Sequence, residues 1–212
     1  MQKQKKDLRR MVQIALLAAI MMVMSATPLG YIPLPFMKAT IMHIPVIIGA
    51  CLLGPSVGAG LGALFGLTSI VMATISPNIT SFVFTPFYSF NEQFHGSIWS
   101  IVVAMLPRIL IGVVSGYVFI FIKKIVSNDT VSLMAAGVAG SLTNTIGVMG
   151  LIYILFGEQY AIAGGKDPQL LLGVIIGVIG TNGIMEAIIA AILTAAVCKA
   201  VLTAFRGKFV IN

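Results

Sequence analysis

Between Ile98 and Ile122 the chain carries a single charge, Arg108, in an otherwise apolar run. At about 1.5 Å per residue such a run reaches across the roughly 30 Å hydrocarbon core of a bilayer. Only a helix satisfies its own backbone at that depth without help from other strands. A lone charge there costs on the order of 3 kcal/mol on insertion scales. It is therefore expected to face a partner or a ligand, not lipid.

The rest of the chain agrees with a membrane setting. A hydrophobic share of 58%, 9% charged residues and a mean hydropathy of +1.06 exclude an ordinary soluble domain. The 212 residues leave room for about six spans and short loops. The expected architecture is a single all-α membrane domain over residues 1–212, with spans Met11–Thr27, Ala39–Leu53, Ser56–Ile75, Ile98–Ile122, Val131–Phe156 and Gln169–Val197. Gly54-Pro55 is the turn signal dividing the second span from the third. The second is short, so it is expected to tilt little or to be shielded by its neighbours.

A net charge of +7 would suit a nucleic-acid partner, but its placement says topology. Lys3, Lys5, Lys6, Arg9 and Arg10 precede the first span, Lys123 and Lys124 follow the fourth, and Lys199, Arg206 and Lys208 close the chain. With six spans these fall on one side and Lys38 and Lys166 on the other, which places both termini in the cytoplasm. The basic start followed by Ser25 and Ala26 resembles a signal peptide, but Pro28 follows too closely for a good cleavage site. Cys51 and Cys198 are isolated, show no metal-ligand spacing and are expected to fill small apolar space. No phosphate-binding loop is present: Gly165-Lys166 is followed by Asp167, and Tyr160 stands where the first glycine belongs. No zinc-protease motif, carboxylate pair or nucleophile with a base suggests an enzyme, and no metal or cofactor is expected.

Polar groups inside the spans are few. Counted from the outer helix end, Arg108 lies about 16 Å deep, and Asn144 and Asn182 about 20 Å, at the rise of an α-helix. Glu186 follows Asn182 by one turn on the same face. Pro107 lacks an N–H and so frees the carbonyl of Val103 beside Arg108. Two readings stand for each residue. Asn144 and Asn182 bind a ligand or hydrogen-bond between helices. Arg108 holds an anion or pairs with Glu186. His43, near the outer end of the second span, contacts a ligand or is a satisfied interfacial histidine.

Small residues form two stripes. Gly54, Gly58, Gly62 and Gly66 recur every four residues, and Ala15 and Ala19 share a face of the first helix. Either stripe serves internal packing or docks another membrane protein. The outer loops Pro28–Lys38 and Pro77–Gly96 are rich in apolar residues, among them Tyr31, Phe36, Phe82, Phe84, Phe87, Tyr88, Phe90 and Phe94, with Glu92 and His95 in the second. Such loops form an interfacial belt or a lid over a pocket. Asn78-Ile79-Thr80 in the second loop matches a glycosylation acceptor, relevant only in a eukaryotic secretory host.

With these residues in view, the chain resembles a substrate-binding S component of an energy-coupling factor vitamin transporter. The Ala15–Ala19 pair resembles that family's scaffold-docking motif. Thr40-Ile41-Met42-His43-Ile44-Pro45-Val46-Ile47-Ile48-Gly49-Ala50, Gly66-Leu67-Thr68-Ser69, Pro107-Arg108-Ile109 and Gly180-Thr181-Asn182-Gly183-Ile184 resemble its pantothenate-specific branch. Met185 stands where members of that branch often carry proline, which is expected to leave the sixth helix straighter than in those members. The resemblance implies a bacterial cell-membrane protein and a pocket near the outer face, formed by the last three helices and capped by the loops after the first and third. It also implies three partners: a transmembrane scaffold subunit and two ATPase subunits. Arg108 would hold the carboxylate of pantothenate, and Asn144 and Asn182 its amide or hydroxyls. A pyridoxine or pyrimidine precursor, or riboflavin, is the alternative cargo. A flat ligand would call for stacking, and the inner helices offer little beyond Tyr117 and Tyr153. A stand-alone secondary carrier should show repeated halves and more buried carboxylates than Glu186.

Overall fold

The computed structural model describes residues 2–27, 30–33, 38–89, 91 and 94–204. Phe36, Phe90, Glu92, Arg206 and Lys208, named above, lie outside the described residues, and so does much of the loop Pro28–Lys38. The chain runs α1 (Gln2–Ser25), a hairpin of β1 (Tyr31–Pro33) and β2 (Lys38–Thr40), α2 (His43–Leu53), α3 (Pro55–Ile75), α4 (Ile98–Ile125), α5 (Asp129–Ala163), α6 (Leu171–Val178) and α7 (Ile184–Ala204). A π turn, Ile179–Gly183, joins α6 to α7 without a break in the rod. Among the described residues, five helices, with Pro168–Ala204 counted as one, are long and apolar enough to cross a membrane, and α2 is a shorter apolar one.

The second span differs from expectation. Ala39 and Thr40 pair with Ile32 and Tyr31 in the hairpin, so the helix begins only at His43. Its 11 residues cover about 16 Å, roughly half a bilayer core. It is tolerated because His43 through Leu52 are all buried, with α3, α4, α5 and α7 packed round them. The polar backbone at its ends thus meets protein instead of lipid. Gly54, at φ 100°, makes the tight turn into α3 that a residue with a Cβ would resist, and Pro55 starts the next helix.

The glycine stripe packs inside the molecule. A Cβ on Gly62 would collide with the Arg108 carbonyl, one on Gly58 would come within 2.9 Å of the Gly112 carbonyl, and one on Gly66 within 2.9 Å of the Ala104 carbonyl. Antiparallel α3 and α4 therefore touch backbone to backbone. Ala15 and Ala19 behave differently: both are exposed, on a face of α1 shared with Leu8, Met11, Val12 and Leu16. Cys51 and Cys198 are free and buried in the apolar cluster around α2, as expected of small fillers.

The connections after α1, α3 and α5 gather at one end of the bundle, the loop-rich end; the opposite end holds the short turns at Gly54 and at Val126–Asn128. The loop after α3 is folded inward. Its turn Ser81–Val83 buries Phe82 and Val83 completely, against Phe94 and Phe156 among others. Ser100 Oγ, in the first turn of α4, donates to the Phe82 carbonyl at 2.7 Å and pins the loop to that helix. Thr74 and Thr85 join its two flanks at 2.7 Å.

Candidate functional site

Beneath that loop lies a cavity of about 80 Å³ between α3, α4, α5 and α7. That is several times the space one water requires. Met72, Ala73, Val148, Met149 and Ile152 give it apolar walls, and Arg108, Asn144, Thr145 and Glu186 supply polar groups from the helices. The folded-in loop adds Asn78, Thr80, Ser81 and Phe84, the hairpin adds Thr40, and Tyr160 closes the α5 side.

Arg108 is 5% exposed and is positioned by its own helix. With no proline N–H to receive, the Val103 carbonyl accepts instead from Arg108 Nη1 at 2.7 Å. The guanidinium carbon stands 5.4 Å from the Phe65 ring centre and 5.3 Å from that of Phe84, both within cation–π range. The Val103 carbonyl and the two ring faces help to orient the group. Glu186 is not its ion-pair partner: the Glu186 carboxylate accepts from Thr145 Oγ1 at 3.2 Å. The two charged residues thus line one cavity without bridging each other.

Asn144 is 6% exposed, and its Oδ1 meets no hydrogen-bond partner among the described residues. A buried amide oxygen left so costs on the order of 1–3 kcal/mol. A ligand group would remove that penalty. Adjacent Asn144 and Thr145 share the work of α5: both line the cavity, and Thr145 also holds Glu186.

Two expected residues are elsewhere. Asn182 sits half-buried in the π turn and is not part of the cavity wall. The wider turn adds a residue to the local repeat, so the helical face expected to join Asn182 to Glu186 does not hold. His43, 1% exposed at the head of α2, is a core residue and not part of the wall. Tyr117 and Tyr153 face outward, at 62% and 44% exposure. The aromatic groups at the cavity are Phe84, from the loop read as a belt or a lid, and Tyr160, which sequence reading did not place at a pocket. It also passed over Thr145 and the Asn78–Ser81 turn, whose one visible signal was a polar cluster between two apolar runs.

Residues 9–198 match the family described as ECF transporter, substrate-specific component. The chain belongs to that family. This ECF substrate-specific component is 41% identical over 172 residues to the pantothenic acid transporter PanT of Lactococcus lactis subsp. cremoris (strain MG1363), covering 81% of each chain. It is 34% identical over 180 residues to the pantothenate transporter PanT of Leuconostoc mesenteroides subsp. mesenteroides, covering 80% of this chain and 79% of that one. As a substrate-specific component it is a transport protein, and a buried, partly polar cavity under a folded-in loop suits substrate capture.

Proposed function

We propose that this chain captures pantothenate from outside a bacterial cell for an ATP-driven importer. The observation that carries the reading is Arg108: a buried, oriented guanidinium lining a cavity with otherwise largely apolar walls, suited to one carboxylate. The apolar wall of Val148, Met149 and Ile152 would receive the dimethyl group, and Asn144 and Glu186 would meet amide and hydroxyl groups. Asn182 and His43 are left out of this contact set because they lie off the wall. The names of the two relatives support the choice of cargo.

The loop-rich end then faces outward, with six membrane-embedded helical segments, α2 among them, and both termini in the cytoplasm beside Lys123, Lys124 and Lys199. Energy would come from a scaffold subunit and two ATPase subunits, since the chain holds no nucleotide motif of its own. The exposed face of α1 at Ala15 and Ala19 would dock the scaffold. Mass spectrometry of ligand released from the purified protein tests the cargo. Pantothenate in stoichiometric amount is expected; a flavin or a pyridoxine precursor in its place would overturn the assignment.

A further inference from the structure

Hydrogen-bond accounting divides the cavity into a donating end and an accepting end. At the loop-rich end, the Asn78 backbone N–H donates to Ser81 Oγ at 2.8 Å, and Ser81 Oγ donates back to Asn78 Oδ1 at 2.8 Å. The Thr80 hydroxyl donates to the same oxygen at 3.3 Å. An amide oxygen with two donors on it has its lone pairs occupied. What Asn78 has left to offer the cavity is its Nδ2–H₂ group, from which none of the described residues accepts. The Arg108 guanidinium, which can only donate, shares this end, over the ring of Phe84 in the same loop. Glu186 lies beside Thr145 and Thr40, about two helical turns below Ile152 on the α5 wall. A carboxylate whose one oxygen takes the Thr145 proton still has room to accept from a ligand hydroxyl.

We propose that this polarity orients the ligand: its carboxylate points to the loop-rich end, held by Arg108 together with the Nδ2–H₂ group of Asn78, and its hydroxyl end rests against Glu186. The proposal rests on the pantothenate reading above and adds Asn78 as a ligand-binding residue. An acid without donors at its far end would leave Glu186 facing apolar atoms and would be selected against. A ligand inserted the other way would set its carboxylate against that of Glu186.

Asn78→Asp separates the possibilities. Aspartate keeps the oxygen that Thr80 and Ser81 donate to, so the turn survives, but it places a second carboxylate oxygen where the N–H₂ group stood. Calorimetric titration of the full-length protein in detergent would compare pantothenate with its neutral analogue carrying CH₂OH in place of the carboxylate, alongside the melting temperature of each variant. With its carboxylate facing the introduced one, pantothenate should lose about tenfold or more in affinity. The neutral alcohol should bind within about threefold of wild type, because its hydroxyl can donate to the new carboxylate. Unchanged or tighter pantothenate binding by Asn78→Asp would overturn the orientation. Ser81→Ala loosens the same turn while leaving the amide of residue 78 in place. If it weakens pantothenate and spares the alcohol as Asn78→Asp is expected to do, Asn78 acts only through the loop and the proposal fails. Wild-type protein that binds neither ligand would instead remove the pantothenate reading beneath it.

Discussion

Arg108 is poised before any ligand arrives. Its own helix supplies the Val103 carbonyl, and Phe65 and Phe84 hold the plane of the guanidinium. Little reorganisation then remains to oppose binding. A charge-assisted contact of this kind contributes roughly 2–3 kcal/mol. Arg108→Gln should therefore weaken pantothenate binding by about 30- to 150-fold, at 1.4 kcal/mol per decade. Arg108→Lys should restore only part, because an ammonium reproduces neither the planar fork nor the stacking on two rings. Titration of both variants checks this; a well-folded Arg108→Gln that binds like wild type would take the arginine out of the site. Arg108, Asn144 and Glu186 could be read from the sequence because a polar side chain in an apolar span has few reasons to be there. Asn78, Thr80, Ser81 and Tyr160 could not. Their place at the cavity depends on how a loop and a helix end fold back, which no periodicity reports.

At the scale of elements, the site depends on how closely α3 approaches α4. Gly62 lies against the carbonyl of Arg108, so the stripe that brings the two helices together also fixes the backbone that carries this cavity-lining arginine. Gly62→Ala forces the helices apart and should destabilise the protein by about 1–3 kcal/mol, as overpacking of a tight contact does. Gly60→Ala is the control: nothing lies within 4 Å of its Cβ position, so only the small gain in helix propensity remains. Thermal unfolding in detergent should show a lower midpoint for the first and an equal or higher one for the second. Equal midpoints would mean that α4 yields easily and that the close contact is not what places Arg108. The long helices were legible from hydropathy with ends shifted by a few residues: α5, expected to end at Phe156, continues to Ala163. Two departures came from local geometry that hydropathy does not encode. The hairpin took the first residues expected of the second span, and the π turn broke the 3.6-residue repeat that linked Asn182 to Glu186.

For the whole molecule, the lack of a nucleotide motif sets a clear expectation. Reconstituted alone in liposomes, the protein should bind pantothenate without accumulating it, and uptake should begin once scaffold and ATPases are added with internal ATP. Accumulation by the chain alone under a sodium or proton gradient would favour a secondary carrier. In the same assay, Ala15→Trp and Ala19→Trp should abolish uptake by blocking assembly, since the exposed face of α1 has no room for an indole against a close partner. Binding by the free subunit should survive, because none of the cavity-lining residues belongs to α1. Loss of both functions together would assign the alanines to folding.

The bond from Arg108 to the Val103 carbonyl turns the guanidinium toward the loop-rich end. A bound carboxylate would then sit about a third to a half of the way through the roughly 30 Å hydrocarbon core. That position has an electrical meaning. Each elementary charge carried through 100 mV is worth about 2.3 kcal/mol, so an anion held at this depth from the outside works against an inside-negative potential by about 1 kcal/mol. Pantothenate affinity in outward-facing vesicles polarised by about 100 mV should fall by roughly fivefold relative to unpolarised ones. The neutral alcohol should show no such change. Equal affinities for pantothenate in both conditions would mean that water fills the mouth of the cavity and that the voltage drops entirely below Arg108.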